Sequence, residues 1–247
     1  MSRLDSLITP SRSRSRASAS PSPSPSVGSP SKQNETTHHR MLKLVLAEVR
    51  KIIKTWDELV IIDGFKASKG CIDEATEMDN ILAIDEKPER PEITEHLNSW
   101  YNHRQSLEST LKKLDNNLYK LSALAEQAEK ILFGAYTREG NEFVFVEPLW
   151  STWTLEKFVN SLSPLISLHT LHLASLNSLS QAILDPNTSF DDAKLTLEAW
   201  RDIATGGERW TGVREWEELI DLELSAGKDD LDDEDDIPFK GKKKNKR

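Results

Sequence analysis

The chain of 247 residues holds one cysteine, Cys71. An intramolecular disulfide is thereby excluded, and a reducing compartment is the default expectation. No apolar run approaches the roughly 20 residues of a membrane span. The start, MSRLDSLITPSRSRSR, lacks the apolar centre of a signal peptide. Its Arg and Ser content resembles a mitochondrial transit peptide, but the Ser-Pro run behind it argues against that reading, leaving cytosol or nucleus. Glycine and proline are few, at 10 and 11 residues. Hydrophobic residues make up only 37% and aromatics 7%, against 30% charged. That is lean for a globular enzyme and suits helices packed along seams.

No P-loop or dinucleotide-binding glycine pattern occurs, and no Gly-x-Ser-x-Gly elbow. His38 and His39 have no partner ligands nearby and fall in a stretch expected to be unstructured. His169 and His172 share a helix face at a spacing that can hold a metal. No Cys, Asp or Glu in the adjoining turns completes the set, so they read as polar residues within a seam, satisfied by hydrogen bonds. Cys71 lacks a redox motif and reads as a small apolar residue. The acidic run at 229–236 lacks the alternating ligands and central glycine of a calcium loop. The expectation is therefore no catalytic residue, no metal site and no cofactor.

What is present is helical periodicity. Residues 1–39, rich in Ser and Pro, are expected to be a disordered arm. In a first helical segment, 40–84, Leu42, Val45, Val49, Ile52, Trp56 and Leu59 recur at heptad spacings, widened by Leu46, Ile53 and Val60. Gly64 reads as a break, with a short helix from Lys66 to Ala83 after it. A linker, 85–93, carries Pro88 and Pro91, which exclude helix interior. The region 94–224 then opens with Thr94 as helix cap. Its seam runs Leu97, Trp100, Arg104, Leu107, Leu111, Leu114, Leu118, Leu121, Ala125, Ala128, Leu132. Gly134 and Gly140 bracket a turn, and Glu142–Glu147 alternates like an extended segment. A third long helix is expected from Ser151 or Thr152 to Leu184, kinked at Pro164. A fourth is capped by Thr188 or Ser189 and ended by Gly206-Gly207, with a last amphipathic piece to Leu224. The tail, 225–247, is acidic and then basic and reads as solvated. The fold class is thus all-α, with long coiled-coil or helical-bundle helices between disordered tails.

The basic end, GKKKNKR, has the composition of a nuclear import signal. In the arm, Thr9 and Ser29 each precede a proline with a basic residue following, a pattern cyclin-dependent kinases prefer, and are the phosphorylation candidates. The seven tryptophans are more than so thin a chain easily buries, which points to a partner surface.

The order of these features resembles the cyclin-dependent kinase 2-interacting protein family. The resemblance rests on Trp56, Leu59, Gly64 and Phe65, with one residue more between the Trp and the Gly than the family pattern has. It continues through the Leu-rich stretch 97–132, the box Pro148, Leu149, Trp150, Thr152 and Trp153 with Phe158 after it, and Leu197 with Trp200. The resemblance implies a non-enzymatic nuclear adaptor. Its partners would be a cyclin-dependent kinase and subunits of an AAA-type ATPase complex, in replication, checkpoint signalling and ribosome maturation. Trp150, Trp153, Phe158 and Trp200 would be the partner-binding residues. Association through the coiled coil would give a hetero-oligomer or homodimer, with no membrane and no direct nucleic-acid contact. The rival expectations are a structural subunit of an obligate coiled-coil complex, of kinetochore or tethering type, and an RNA-associated ribosome-biogenesis factor.

Overall fold

The computed structural model describes residues 35–84 and 92–225. The Ser-Pro arm with Thr9 and Ser29, most of the proline linker and the acidic-basic tail lie outside the described residues. Among the described residues the chain is helical, with no strand beyond a single antiparallel bridge between Pro148 and Thr154.

The first helix, α1, spans Thr37–Glu58 and starts three residues before the expected boundary at residue 40. Tertiary contacts fix this start. The Thr36 backbone N–H lies 3.3 Å from His39 Nδ1, and the other ring nitrogen of His39 donates to the Leu149 carbonyl at 3.0 Å. His38 and His39, expected in the disordered arm, are therefore buried helical residues. Gly64 does not break the chain. A π-helical segment, Leu59–Gly64, carries it directly into α2, Phe65–Leu82. The glycine serves close approach instead: a Cβ there would meet the Trp200 ring at 2.6 Å. Trp200 lies on α7, Phe190–Thr205, and its indole N–H donates to the Val60 carbonyl at 3.2 Å.

Helix α3, Thr94–Glu139, is 46 residues long, roughly 70 Å at 1.5 Å per residue. Thr94 does not cap it; its hydroxyl bonds Glu92 at 3.0 Å and Ile93 holds the cap position. Gly134 is interior to the helix, and the turn falls at Gly140 alone, whose φ of 92° favours glycine. The expected extended segment is instead a short helix, α4, Asn141–Phe145. Its alternation has no partner strand to pair with, and only Val144 is buried. The third long helix starts later than Ser151. Thr154 accepts from the Lys157 N–H at 3.3 Å and caps α5, Leu155–Asn160. After a jog at Ser161 the chain resumes as α6, Leu162–Leu184. Pro164 accounts for that jog. It cannot bond back four residues, so the break precedes it and the proline sits in a first turn, where its missing N–H costs nothing. Ser189 caps α7 by accepting from the Asp192 N–H at 3.2 Å, and α8, Gly207–Ser225, follows the glycine pair.

Cross-links between elements define the arrangement. Glu74 meets His96, and His39 meets Leu149, so the α1–α2 helix and α3 run antiparallel. Trp56 meets His172, while Cys71 and Ile72 pack with Ile183, so α5–α6 runs parallel to α1–α2. Trp200 meets Val60, Arg209 meets Asp57, and Trp216 meets Ser161, so α7 and α8 return end to end. The result is an up-down-up-down bundle of four long rods, with α4 and the box loop closing one end.

Every seam residue read from α1 is buried, from Leu42 to Val60. In α3 the column Leu107, Leu114, Leu121, Ala128, Ala135 is fully buried. Of its flanks, Thr110, Asn117 and Ile131 are buried, whereas the expected partners Leu111, Leu118, Ala125 and Leu132 are only half-buried. The stripe is wider than a two-stranded seam because α3 packs on the first rod along one side and α6 along the other. Leu114 has no accessible surface. Leu114→Ala should therefore cost about 2–5 kcal/mol. Leu114→Pro should cost about 3 kcal/mol more through the lost backbone bond. Denaturant unfolding followed by circular dichroism checks both, and an unchanged midpoint for the proline variant would contradict this placement.

Candidate interaction site

The box Pro148–Trp153 is a loop tied to both α1 and α8. Leu149 N–H donates to the Trp153 carbonyl at 2.8 Å, closing the loop on itself. From α8, Glu223 takes the Thr152 N–H at 2.8 Å, the Trp153 N–H at 3.0 Å and the Thr152 hydroxyl. Burial pushes the Glu223 carboxyl up, but the hydroxyl and backbone donors of Thr152, with those of Trp153 and Ser151, more than offset it and hold the group below its ordinary value. From α1, His39 donates to Leu149 and packs edge-on against Trp150 at 5.5 Å between centroids. Burial is the largest influence on His39 and lowers it, so the neutral form that both bonds require is favoured.

Around this loop the aromatics interlock. Phe158 meets Trp150 edge to face at 5.0 Å and lies tilted against Trp153 at 5.2 Å. Lys43 lies over Trp150 and Lys157 over Trp153, at 5.4 and 4.7 Å from the ring centres. Glu223→Ala would strip three donors of their acceptor, the buried Trp153 N–H and the part-buried N–H and hydroxyl of Thr152. The expected loss is about 3 kcal/mol, since an orphaned buried donor costs about 1–3 kcal/mol. Thermal melting checks it, with Glu223→Gln as the milder control.

A second polar group sits mid-bundle. Trp56 indole N–H donates to His172 Nδ1 at 3.1 Å. His169 Nδ1 bonds the Leu165 carbonyl at 2.7 Å, and its Nε2 faces the Arg209 guanidinium at 3.3–3.4 Å. Arg209 is buried and pairs with Asp57 at 2.5 Å. These bonds fix both tautomers: His172 carries its proton on Nε2 and His169 on Nδ1. Burial first, and the Arg209 charge second, push His169 down to about 3 and His172 to about 4. Both rings are therefore neutral at pH 7, and among the described residues neither ring is hydrogen-bonded to a carboxylate or a thiol. Among the described residues no group of three or more His, Cys, Asp or Glu is placed to hold a metal. Cys71 is buried at the far end of the bundle, and burial raises its thiol to about 12, which leaves it unreactive.

The structure thus gathers Trp150, Trp153 and Phe158 into one cluster and leaves Trp200 apart, in the core beside the π segment. Phe158 and Trp200 are 0% exposed and Trp153 is 8% exposed, so a partner meeting this conformation cannot reach the first two. Trp150 is half-buried. The surface actually offered next to the box was hidden from the sequence. Phe133 and Tyr136 on α3 and Phe145 and Val146 at the end of α4 are all exposed, with Phe133 at 67% and Val146 at 64%. Tyr136 and Phe145 touch edge to face at 6.1 Å. A continuous α3 and a helical α4 are needed to bring Tyr136 and Phe145 into contact. The gap between Phe133 and Tyr136 is a helical spacing that could have signalled it.

No helix among the described residues is long and apolar enough to cross a membrane. No protein-family model matches the sequence, and no curated protein matches it.

Proposed function

We propose that the chain is a non-enzymatic nuclear adaptor that binds protein partners through the end of the bundle formed by the Trp150–Trp153 box and the adjoining aromatic patch. The observation that carries this reading is the patch itself. Phe133, Tyr136, Phe145 and Val146 present exposed apolar surface around a loop clamped from two sides by His39 and Glu223. Solvent-exposed aromatics clustered on a rigid base are the usual composition of a binding hot spot. The resemblance to the cyclin-dependent kinase 2-interacting protein family supplies the partner class: a cyclin-dependent kinase and subunits of an AAA-type ATPase assembly, in replication and checkpoint control or ribosome maturation. The basic run at the end of the chain supplies the route into the nucleus.

The test is affinity purification of the tagged full chain from nuclear extract, read by mass spectrometry, beside a Phe133→Glu/Phe145→Glu double variant. Both positions are exposed, so the variant should fold. Stoichiometric ATPase or kinase subunits, lost from the variant, are the expected result. Recovery of other coiled-coil proteins in fixed ratio would favour a structural subunit instead. Pre-ribosomal proteins released by RNase would favour an RNA-associated factor. Unchanged partners on the double variant would remove the patch from the interface.

A further inference from the structure

Beside the mid-bundle polar group, a cavity of about 140 Å³ opens between α6 and the start of α8. It is lined by Leu168, Leu171, His172, Ser175 and Ile203, and then by the chain from Gly206 to Arg209. One water needs roughly 10–15 Å³ on the same measure, so the space exceeds a single solvent molecule several times over.

Its polar wall sets donors on His172 and at the start of α8 beside acceptors on Ile203, Ser175 and Glu208. His172 is only 6% exposed. Its Nδ1 is committed to accepting from Trp56, so its Nε2 must carry the proton. Among the described residues that N–H finds no hydrogen-bond partner. The Ile203 carbonyl lies on its side of the ring and favours the protonated form, without closing a bond. Gly207, with φ of 79°, opens the 19-residue helix α8, whose first-turn N–H groups have no intrahelical acceptor and carry the positive end of the helix dipole. Arg209, 4% exposed, also lines the cavity; its guanidinium is engaged with His169 and with Asp57, which is not among the lining residues. Ser175 donates its hydroxyl to Leu171 and so has lone pairs but no proton to offer.

We propose that this cavity binds a phosphate-sized oxyanion, held by His172 Nε2–H and the first N–H groups of α8, with Arg209 supplying the counter-charge. A helix N-terminus with converging backbone donors is a common anion site, and the buried, unpartnered imidazole N–H is the second, independent donor here. Glu208, at the rim in the first turn, is the one lining residue of opposing charge.

The proposal predicts opposite effects from two exposed rim positions. Purified full-length chain is melted at pH 7.5 with increasing inorganic phosphate, against sodium chloride of matched ionic strength, with acetate as a planar carboxylate arm. Phosphate should raise the melting temperature saturably. Glu208→Gln should tighten the apparent affinity, and Leu171→Glu should weaken it, each by roughly twofold to fivefold. The proton-bound Nε2 resonance of His172 should shift along the same titration. Stronger stabilisation by phosphate than acetate marks the ligand as a phosphoryl group; equal stabilisation marks it as a carboxylate. Absence of saturable stabilisation, or an equal response from wild type and both variants, would overturn the proposal and leave the cavity a water pocket.

Discussion

Acidification should weaken this bundle from its centre, well above the pH at which carboxylates titrate. His169 and His172 are held neutral in the fold, with pKa values pushed down to about 3 and about 4 from an ordinary 6.5. Above pH 6.5 neither the folded nor the unfolded chain protonates these rings, and the stability they permit is fully present. As the pH falls through 6.5 the unfolded chain takes up a proton on each ring, while the folded chain refuses it until about 4 and about 3. Stability therefore falls with pH across that window, at about 1 kcal/mol or more per unit for each ring. His39, also lowered by burial, acts in the same direction. Glu217 opposes them, because burial raises its carboxyl and the folded chain protonates it first. Glu223 joins the loss only below its ordinary 4.5. Urea unfolding measured between pH 7.5 and 4.5 should show the midpoint falling steadily. A stability flat down to pH 5 would contradict the neutral assignment of both rings.

The second large effect belongs to Trp153. Its indole is 8% exposed and packs on Phe158, while its backbone is held by Glu223. Trp153→Ala should cost about 3–5 kcal/mol, which for a chain of this size lowers the melting temperature by about 6–20 °C. Trp150 is only half-buried, although it touches His39, Phe158 and Lys43. Trp150→Ala should therefore cost about 1–2 kcal/mol of stability, and a larger share of its effect should appear as lost partner. Calorimetry and co-purification on the two variants separate the roles. Equal melting of both would mean that Trp153 is not the anchor its burial indicates.

The legible and illegible parts of this fold differ in kind. Helix α3 could be read because its apolar column repeats from Leu107 to Ala135, and length compensates for the ambiguity of any single turn, although the expected seam positions Leu97 and Arg104 are exposed. The side to which that column widens could not. Thr110 and Asn117 are buried while Leu111 and Leu118 are half-exposed, and the choice is made by where α6 lies, not by hydrophobicity. The start of α1 was obscured because His39 is held by a carbonyl 110 residues away. Helix α4 was obscured because five residues contain too little periodicity to separate helix from strand. Within the box, the aromatics were legible as a cluster. Glu223, which fixes the loop, sits 70 residues beyond Trp153 and carries no local sign of its role. The histidines at 169 and 172 were readable as polar residues in a seam, but the N–H that His172 leaves open depends on Trp56 facing its other nitrogen.

The π segment at Leu59–Gly64 also bears on how such a chain tolerates change in length. A π turn bonds five residues back instead of four, so it stores one residue without lengthening the rod by a full α-helical step. The buried stripe runs through it without a break, from Trp56 by Leu59, Val60 and Gly64 to Ala67 and Cys71. An insertion almost anywhere else in the first rod would turn all later side chains by about 100° and carry Cys71 and Ile72 out of the core. Across the π segment Ile61 and Ile62 face solvent, and Trp200 occupies the space above Gly64.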